Sequence, residues 1–442
     1  MLADLADLAV VRLLSFGPRL FVRRLDTVRI RELIITPIAF PDPPLLNSSG
    51  VHEPLALRTV LRLVLDDDAV VGLGESSGDA RHLELLRLVA PRLVGHNVFA
   101  TTALQAVIDA AVNDALPRPT RRQRTAVHSA IEVACLDAQG KLTGRPVHDL
   151  LGGAVRTTVP YSAYLFYKWA DHLDGAYDGT PDPWGEALDA DGMVAQARRM
   201  IDEYGFGSLK LKGGVLPPDV EIATAKALRS AFPDHPVRLD PNGAWTVPTA
   251  KRVAAELEGV LEYLEDPVLG VDDMAEVATG TDLPLATNMC VVAFEQVPRA
   301  VQLDAVQVIL SDHHYWGGLR RTVALGTLCD TFGIGLSMHS NSHLGISLAA
   351  MTHAAAATPE LTYACDTHYP WNGAYDVVRP GVLRFADGAL AVPTGPGLGV
   401  ELDLDALERR HADYLRSGRQ VRDDTGYMRR VRPDYDPTLP RW

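Results

Sequence analysis

The sequence predicts an α/β protein in which a (β/α) barrel of the TIM type is joined to a smaller α+β unit. From about residue 158 onward, eight short apolar runs alternate with stretches of helical periodicity, and this alternation is typical of parallel sheets. Eight such runs favour a barrel over an open sheet. The chain of 442 residues is also longer than one ordinary core requires, so a second unit is expected.

The predicted barrel strands share an apolar stretch that ends in polar or ionisable residues. In chain order they are VPYSAYLF, GSLKLKGG, VRLDPNGAW, LEYLEDP, LPLATNM, VQVILSD, IGLSMHS and LTYACDTH. Helical segments such as DVEIATAKALRSAF and VPTAKRVAAELEG fit between them. The polar side chains that follow the strands should therefore meet at one mouth of the barrel, where active sites of this fold lie.

The α+β unit precedes the barrel in the chain. Residues 28–41 and 58–65 have the pattern of strands, and residues 82–152 have helical spacing. We divide the chain into an N-terminal extension (1–27), an α+β domain (28–157), the barrel (158–390) and a C-terminal segment (391–442) that returns to the α+β domain. The extension is interpreted either as a short amphipathic helix or as the result of a translation start placed too early.

Composition argues against several classes of partner. The net charge of −14 disfavours nucleic acid or an anionic membrane surface, but an anionic small substrate stays open because a local cation can reverse the sign within one cleft. Acidic residues and breaks at Arg12 and Pro18 make the first 25 residues neither a signal peptide nor a membrane span. Four separated cysteines without a CxxC indicate buried reduced thiols and a cytoplasmic protein. A homo-oligomer is expected.

Three residues with side-chain oxygens follow three consecutive predicted strands. Asp240, Glu265 and Asn288 are each separated by one βα unit, and the trio contains no His or Cys. Hard oxygen ligands with two negative charges suit Mg²⁺ better than Zn²⁺. The alternative is that the sequences around them only form turns, but three such residues in register favour a magnesium site.

Two lysines follow the same rule on the second predicted strand. Lys210 and Lys212 are separated by one residue, so strand alternation puts both ammonium groups on one face, which we expect to be inward. Repulsion between two crowded cations should lower the pKa of one of them toward that of a usable base. A solvated lysine pair at a strand edge is the alternative, which the apolar neighbours Leu209 and Leu211 argue against.

His339 follows the seventh run and is the candidate for a second base. An imidazole base needs a carboxylate to set its tautomer and stabilise its charge, and Asp312, one unit earlier, is the natural partner. A lone histidine would more often be structural, so the dyad depends on Asp312. Lysine on one side, His–Asp on the other and a divalent cation between them suit the removal of a proton α to a carboxylate.

These motifs closely resemble the enolase superfamily, in which a Lys or His base works with magnesium, and within it the glucarate dehydratase branch of the mandelate racemase-like enzymes. The segments that carry the resemblance are SLKLKGG, RLDPNGAW, YLEDP, LPLATNM, ILSDHHYWGG, MHSNSHLGISLA and DTHYPW. It runs from about residue 28 to Trp442 and implies a modified (β/α)7β TIM-type barrel. The N-terminal segment and the C-terminal tail would form an α+β capping domain. The implied cofactor is Mg²⁺, and Asn288 as third ligand distinguishes this branch from relatives with a carboxylate there.

The resemblance also implies catalytic roles. Lys212 would remove the proton from one face of C5 of the sugar acid, and Lys210 would assist it. His339 with Asp312 would serve the opposite face and help the C4 hydroxyl leave as water. Asn242 would hydrogen-bond the substrate near the intermediate. The implied product is a 4-deoxy-5-keto aldarate.

Substrate contacts implied by the resemblance are His52, Tyr164, His368 and Arg422. Because His52 and Arg422 come from the two ends of the chain, the capping domain would close over the barrel mouth. Arg422 could bind the distal carboxylate of a dicarboxylate sugar through two parallel hydrogen bonds.

Several alternatives stay open. A shorter segment after Pro267 and the presence of Glu53 beside the expected anion pocket leave another aldarate, or an aldonate, as the substrate. The same two-base site would also serve a racemase or epimerase. A binding protein that has lost catalysis is disfavoured, because every inferred catalytic residue is present. A metal-free aldolase that forms a Schiff base on Lys212 would be revealed by borohydride trapping.

Overall fold

The computed structural model of the chain describes residues 28–66, 69–175, 177, 179 and 182–442. The predicted N-terminal extension, 1–27, lies outside the described residues. All four cysteines are buried and unpaired, as predicted. Among the described residues, no helix is both long and apolar enough to cross a bilayer.

The first unit is a three-stranded antiparallel sheet, ordered β1-β4-β5, covered by helices. Its elements are β1 (Ile30–Pro41), β2 (Leu46–Asn47), β3 (Gly50–Val51), β4 (Leu55–Leu65), β5 (Val71–Ser77), α1 (Ala80–Leu93), α2 (Thr101–Ala115), α3 (Arg121–Thr143) and α4 (Val147–Leu150). Helix α3 packs directly on β5, because a Cβ at Gly72 or Gly74 would lie 2.0 or 2.4 Å from a carbonyl oxygen of α3. This contact requires glycine at both positions.

Sequence patterns missed three strands of this unit. Strand β5 contains two glycines, which weaken a strand pattern. Helix α2 lies within the predicted helical stretch 82–152, although it begins without a side-chain cap at Ala100. The short β2–β3 hairpin lies between the predicted strands 28–41 and 58–65, and its two-residue strands are too short to show alternation.

Eight parallel strands follow and close into a barrel, as predicted. They are β6 (Thr158–Phe166), β7 (Leu209–Lys212), β8 (Val237–Asp240), β9 (Leu261–Glu265), β10 (Leu285–Thr287), β11 (Val308–Ser311), β12 (Gly335–Met338) and β13 (Cys365–Thr367). Strand β13 pairs with β6, and Leu336 O in β12 accepts hydrogen bonds from the backbone N–H groups of Thr362 and Tyr363, both at 3.0 Å. These contacts close the ring.

Helices surround the ring and connect its strands. They are α5 (Ala190–Tyr204), α6 (Pro218–Ala231), α7 (Val247–Leu257), α8 (Val271–Ala278), α9 (Val297–Leu303), α10 (His313–Trp316), α11 (Leu319–Thr331), α12 (Gly345–Ala356) and α13 (Tyr369–Asn372). Each of the seven connections between successive strands contains an outer helix, and α10 is an extra turn directly after β11. The predicted fold class, a modified (β/α)7β barrel with a capping domain, is confirmed.

The C-terminal segment contacts both units. A hairpin of β14 (Phe385–Ala386) and β15 (Ala389–Ala391) pairs with the start of β6. Helix α14 (Leu404–Ser417) lies along β1, where His411 Nδ1 donates to the carbonyl oxygen of Pro37 at 2.7 Å. Helix α15 (Asp424–Arg429) lies beside β3, and Thr425 Oγ1 donates to Ser49 O at 2.6 Å. The chain end therefore reaches the same side of the barrel as the β2–β3 hairpin.

The loop after β7 yields a prediction about stability. Gly214 has a φ of +70°, and an added Cβ would lie 2.0 Å from the carbonyl oxygen of Pro241. We expect Gly214→Ala to lower the free energy of unfolding by about 1–3 kcal/mol, because a non-glycine residue is strained there. Gly207→Ala is the matched control, since no described atom lies within 4 Å of its added Cβ. Thermal unfolding measures both, and equal midpoints for the two variants would contradict the prediction.

Candidate active site

The carboxyl ends of the barrel strands and the loops of the capping domain enclose a cavity of about 1360 Å³. Nine of the predicted site residues line it, namely His52, Tyr164, Lys212, Asn242, Asn288, Asp312, His339, His368 and Arg422. The other three, Lys210, Asp240 and Glu265, are completely buried and contact this lining. The structure thus brings the whole predicted set into one region.

The predicted metal ligands lie together at the ends of β8, β9 and β10. Asn288 Nδ2 donates to Glu265 Oε1 at 2.6 Å. Lys210 Nζ lies 3.7 Å from Asp240 Oδ2 and 2.7 Å from Glu265 Oε2, so the two carboxylates converge on one point. Asp366, at β13, joins them and accepts a hydrogen bond from Lys210 Nζ at 2.7 Å.

The electrostatics of this cluster fit a divalent cation. Burial raises the pKa of Glu265 well above its usual value; Lys210 opposes this shift, and the charges of Asp240 and Asp366 add to it. Within the described part of the chain, Asp366 Oδ1 is buried without a hydrogen-bond partner, and the contact of Glu265 Oε2 is the ion pair with Lys210 Nζ at 2.7 Å. Buried oxygens without donors are uncommon, and an oxygen-only set suits Mg²⁺. The residues present therefore fit a magnesium ion at Asp240, Glu265 and Asn288.

Asp266 positions the third of these residues. Its carboxylate accepts hydrogen bonds from Thr287 Oγ1 at 2.6 Å and from the backbone N–H of Asn288 at 2.8 Å. Burial raises the pKa of Asp266 to about 7. Asp266 has a φ of +40° and does not line the cavity.

Both lysines point to the same side of β7, as predicted, and the predicted lowering of one lysine pKa by repulsion does not occur at Lys210. Burial alone would lower the pKa of Lys210, yet the carboxylates of Asp366 and Glu265 outweigh it and hold that pKa well above its usual value. Lys210 therefore stays charged. Lys212 donates to Asp240 Oδ2 and to Asn242 Oδ1, both at 2.7 Å, and borders the cavity. Lys212 is the lysine that a substrate can reach.

The loops that follow β7 and β8 lie on either side of Lys212, and side-chain hydrogen bonds hold each of them. Buried Glu221 accepts hydrogen bonds from the backbone N–H groups of residues 214–216 at 2.9–3.0 Å. Asn242 has a left-handed φ of 57°, which asparagine tolerates better than most residues. Its Nδ2 donates to Ser48 Oγ of the capping domain at 2.9 Å. The capping domain thus helps to orient the residue next to Lys212.

The predicted dyad is present. His339 Nδ1 lies 3.1 Å from Asp312 Oδ2, and because the carboxylate only accepts, Nδ1 carries the proton and Nε2 is left as the free nitrogen. Asp312 also caps α10 and accepts from the backbone N–H of His314 at 2.9 Å. Although burial opposes it, hydrogen bonds from His314 and His339 hold the pKa of Asp312 well below its usual value.

The lysine and the dyad face each other across the mouth. Strands β7 and β12 are five strands apart in one direction around the ring and three in the other. Lys212 and His339 therefore approach the cavity from opposite walls, with the carboxylate cluster of β8 and β9 on the longer path between them. Two basic side chains in this arrangement can act on opposite faces of one carbon centre.

Two of the predicted substrate contacts form the barrel wall. Tyr164 OH donates to Asp240 Oδ2 at 3.4 Å, and its ring lies 4.8 Å from Lys210 Nζ. His368 packs edge-on against Tyr164, with ring centroids 5.0 Å apart, and its Nδ1 lies 3.2 Å from Ser340 Oγ. Burial lowers the pKa of His368 well below its usual value, and nearby positive groups add to this shift. A neutral His368 can offer one donor and one acceptor.

The other two predicted contacts, His52 and Arg422, meet at the capping domain. Asp42 Oδ2 lies 3.1 Å from His52 Nδ1 and accepts a hydrogen bond from Arg422 Nη1 at 3.0 Å. Arg422 Nε and Nη2 both donate to Asp424, at 2.6 and 2.8 Å. Its parallel pair of hydrogen bonds is therefore made within the protein. Glu53 is absent from the cavity lining and is paired with Arg419.

Sequence patterns missed three groups that shape this site. Asp366 lies at a strand end, so a signal for it existed. Asp42 carried no local signal, because only the folded chain brings it to Arg422, whereas Asp424 lies two residues from Arg422 in the sequence. A second cluster with metal-ligand chemistry, Asp312 with the histidines of α10, has ligand atoms within 4.8 Å of one another.

Comparisons with known proteins agree with this geometry. Residues 49–152 match the family of the mandelate racemase/muconate lactonizing enzyme N-terminal domain, and residues 192–406 match the enolase C-terminal domain-like family. A Streptomyces coelicolor protein named probable glucarate dehydratase is 52% identical over 429 residues, which cover 93% of this chain and 99% of that protein.

Two solved structures are also similar. An enolase from Mycobacterium smegmatis, complexed with tartrate, is 60% identical with a TM-score of 0.91 and covers 95% of this chain and 100% of its own. An enolase from Pseudomonas fluorescens, with bound magnesium, potassium and tartrate, is 48% identical with a TM-score of 0.91, over 94% of this chain and 100% of its own.

Proposed function

Because this chain belongs to the enolase superfamily and is an enzyme of the dehydratase class, we propose that it is a magnesium-dependent dehydratase of acid sugars whose substrate is glucarate or a closely related aldarate. The observation that carries the proposal is the meeting of an oxygen-ligand cluster, Lys212 and the His339–Asp312 dyad around one cavity. The proposal extends to a cytoplasmic homo-oligomer that acts on a small molecule.

Two features of the relatives support the cofactor and the substrate class. The Pseudomonas fluorescens enolase binds magnesium and tartrate together. Tartrate is a dicarboxylate with a hydroxyl on each α-carbon, which is the chemistry that aldarates share. A magnesium ion held by Asp240, Glu265 and Asn288 would supply Lewis-acid stabilisation of the negative charge that develops on the substrate carboxylate.

The residues of the chain account for each proton and bond. Neutral Lys212 takes the proton from C5, and the charge of Lys210 stabilises the adjoining carboxylate. The C4–O bond breaks, and the departing hydroxyl takes a proton from His339 Nε2 and leaves as water. Asp312 stabilises the charged imidazole before that transfer. The resulting enol tautomerises to the 4-deoxy-5-keto acid, and Asn242 is placed to hydrogen-bond the intermediate.

A panel of aldarates and aldonates tests the proposal. Each acid is incubated with the protein and Mg²⁺, and the 2-keto acid that dehydration produces is measured as its semicarbazone by absorbance. We expect an aldarate to give the highest rate and EDTA to abolish it. If no member of the panel yields a keto acid, the proposed function is wrong. If an aldonate were dehydrated faster than every aldarate, the proposed substrate class would be wrong but the proposed dehydration would stand.

Epimerisation is a second candidate, because two opposed bases can remove a proton from one face and return it to the other. It predicts loss of optical rotation without keto acid. Proton NMR of the reaction separates the two outcomes, since an epimer keeps its C4 hydrogen pattern and the dehydrated product gains a methylene group at C4.

His339→Asn provides a prediction for the dyad. We expect it to lower the rate of dehydration by about 10²–10⁴-fold, since one acid–base group is lost. Exchange of the C5 hydrogen with deuterium from the solvent should continue, because Lys212 is intact. His411→Asn, outside the cavity in α14, is the matched control and should keep wild-type activity. An unchanged dehydration rate in His339→Asn would refute the assigned role.

A further inference from the structure

Asp312 forms hydrogen bonds with two imidazoles, and the second of them has no role in the reaction described above. A third imidazole lies farther away, with His343 Nε2 3.8 Å from Asp312 Oδ2. His339 occupies Oδ2 at 3.1 Å. His314 occupies Oδ1, through its backbone N–H at 2.9 Å and its Nδ1 at 3.0 Å. His314 is buried, with 6% of its surface exposed. Any charge on His314 therefore acts on the carboxylate that supports the His339 base.

The contacts of His314 indicate its charge. Its Nε2 lies 3.1 Å from the backbone carbonyl oxygen of Glu75 in β5. A carboxylate and a carbonyl can only accept hydrogen bonds, so both ring nitrogens must donate, and a ring that donates twice is an imidazolium. Ser347 Oγ lies farther away, at 3.4 Å. If Nε2 carried no hydrogen and accepted a hydrogen bond from Ser347 Oγ, its lone pair would face a lone pair of the Glu75 carbonyl oxygen 3.1 Å away.

The other histidines that face His314 are neutral. On its own helix it contacts His313, with ring centroids 4.0 Å apart; from the loop after β12 it contacts His343, at 4.9 Å. Burial lowers the pKa of both well below the usual value, and it lowers the pKa of His82, in α1, to about 4. These three histidines are therefore neutral.

Two carboxylates and one guanidinium remain near it. Arg58, in β4, donates from Nε and Nη2 to Glu75 Oε1 at 2.9 and 2.7 Å, which neutralises Glu75. Asp312 is then left with one negative charge in a buried cluster. A buried charge needs hydrogen-bonding partners, and His314 on Oδ1 and His339 on Oδ2 share that of Asp312.

We propose that His314 is a positioning residue, held as an imidazolium between Asp312 and the Glu75 carbonyl. Its positive charge weakens the electrostatic attraction between Asp312 and the His339 imidazolium and so sets the basicity of His339. The inference deepens the proposed function and depends on it for its catalytic meaning. It also gives the capping domain a part in the dyad, because Glu75 accepts from the backbone N–H groups of Leu344 and Ser347 as well, at 3.0 and 2.9 Å.

The test measures the protonation of His339 without a substrate. In His314→Asn, an amide can still donate to Asp312, but the positive charge and the link to Glu75 are lost. Diethyl pyrocarbonate modifies neutral imidazoles, so the modification of His339 is quantified by peptide mass spectrometry between about pH 5 and 9. We expect the midpoint to rise by roughly one pH unit, the size of effect that removal of a nearby charge produces.

The controls separate the outcomes. His313→Asn removes a buried histidine of the same helix that makes none of these hydrogen bonds, and it should leave the midpoint in place. His314→Gln replaces His314→Asn if the latter does not fold. An unchanged or lower midpoint in the folded variant overturns the inference, whether or not any acid sugar is dehydrated. In the active enzyme, the limb of the pH–rate profile that belongs to His339 should move upward with it, whereas a merely structural role would lower kcat/KM equally at every pH.

Discussion

Replacing Lys212 with methionine is expected to lower kcat for dehydration by roughly 10³-fold, because the group that takes the C5 proton is removed. Lys212 is the lysine at the cavity wall, whereas Lys210 is buried among carboxylates that hold it charged. The rate is measured from keto-acid formation in the presence of Mg²⁺. Lys212→Met should also lose the exchange of the C5 hydrogen with deuterated solvent, which His339→Asn retains.

The Lys212→Arg variant distinguishes a role of Lys212 as a base from a role of its positive charge. Arginine keeps a cation beside Asp240, where Lys212 Nζ now lies 2.7 Å from Oδ2, but it stays protonated and cannot accept the proton. We expect the arginine variant to be as inactive as the methionine variant while calorimetry shows that it still binds Mg²⁺. Activity close to wild type in Lys212→Arg would mean that Lys212 contributes only its charge.

Replacing Asp240 with asparagine is expected to abolish both magnesium binding and dehydration. Asp240 is completely buried, and its charge is stabilised by both lysines: burial raises its pKa, but Lys212 and Lys210 outweigh that effect and lower it. Outer partners of metal ligands contribute about 10- to 100-fold to affinity, so the loss of a charged ligand should exceed this range. Titration calorimetry with Mg²⁺ measures it directly.

Asp266→Asn is the graded comparison. Asp266 is equally buried and lies next to Glu265 in sequence, but it contacts Asn288 only through the backbone N–H. The Asp266→Asn substitution should therefore weaken Mg²⁺ binding by roughly 10- to 100-fold and leave measurable activity. If the two variants lost the same affinity, Asp240 would not be a direct ligand.

The barrel and its strand-end residues could be predicted because their signals are local. Each strand is a short apolar run, and the covalent spacing of one βα unit carries Asp240, Glu265, Asn288, Asp312 and His339 to the same mouth. Side-chain alternation is equally local, so the shared direction of the two lysines was also accessible. Strand β5 was missed because its glycines, which a close contact with α3 requires, remove the local pattern.

The electrostatics of the site could not be predicted from spacing, because they depend on partners that are distant in the chain. The repulsion expected between Lys210 and Lys212 is outweighed by Asp366, which follows Lys210 by 156 residues. Arg422 was expected to present its guanidinium to a ligand, but Asp42, 380 residues earlier in the chain, contacts it together with the neighbouring Asp424. Charge balance in a buried cluster is a property of the assembled fold.

The capping domain covers this site and also contacts the residues and loops that form its walls. Ser48 contacts Asn242 beside one base, and Glu75 contacts the loop that follows the other, through the backbone N–H of Leu344. Both walls of the cavity are therefore braced by residues from the first part of the chain. This arrangement explains why the barrel alone does not contain the complete site.

A crystal structure of the protein grown with Mg²⁺ and tartrate tests the central claim most directly. We predict an ion held by Asp240, Glu265 and Asn288 at about 2.0–2.1 Å, and a carboxylate of tartrate between Lys212 and His339. An ion bound instead by Asp312 and the histidines of α10, or a cavity whose carboxylate cluster binds no cation, would contradict it.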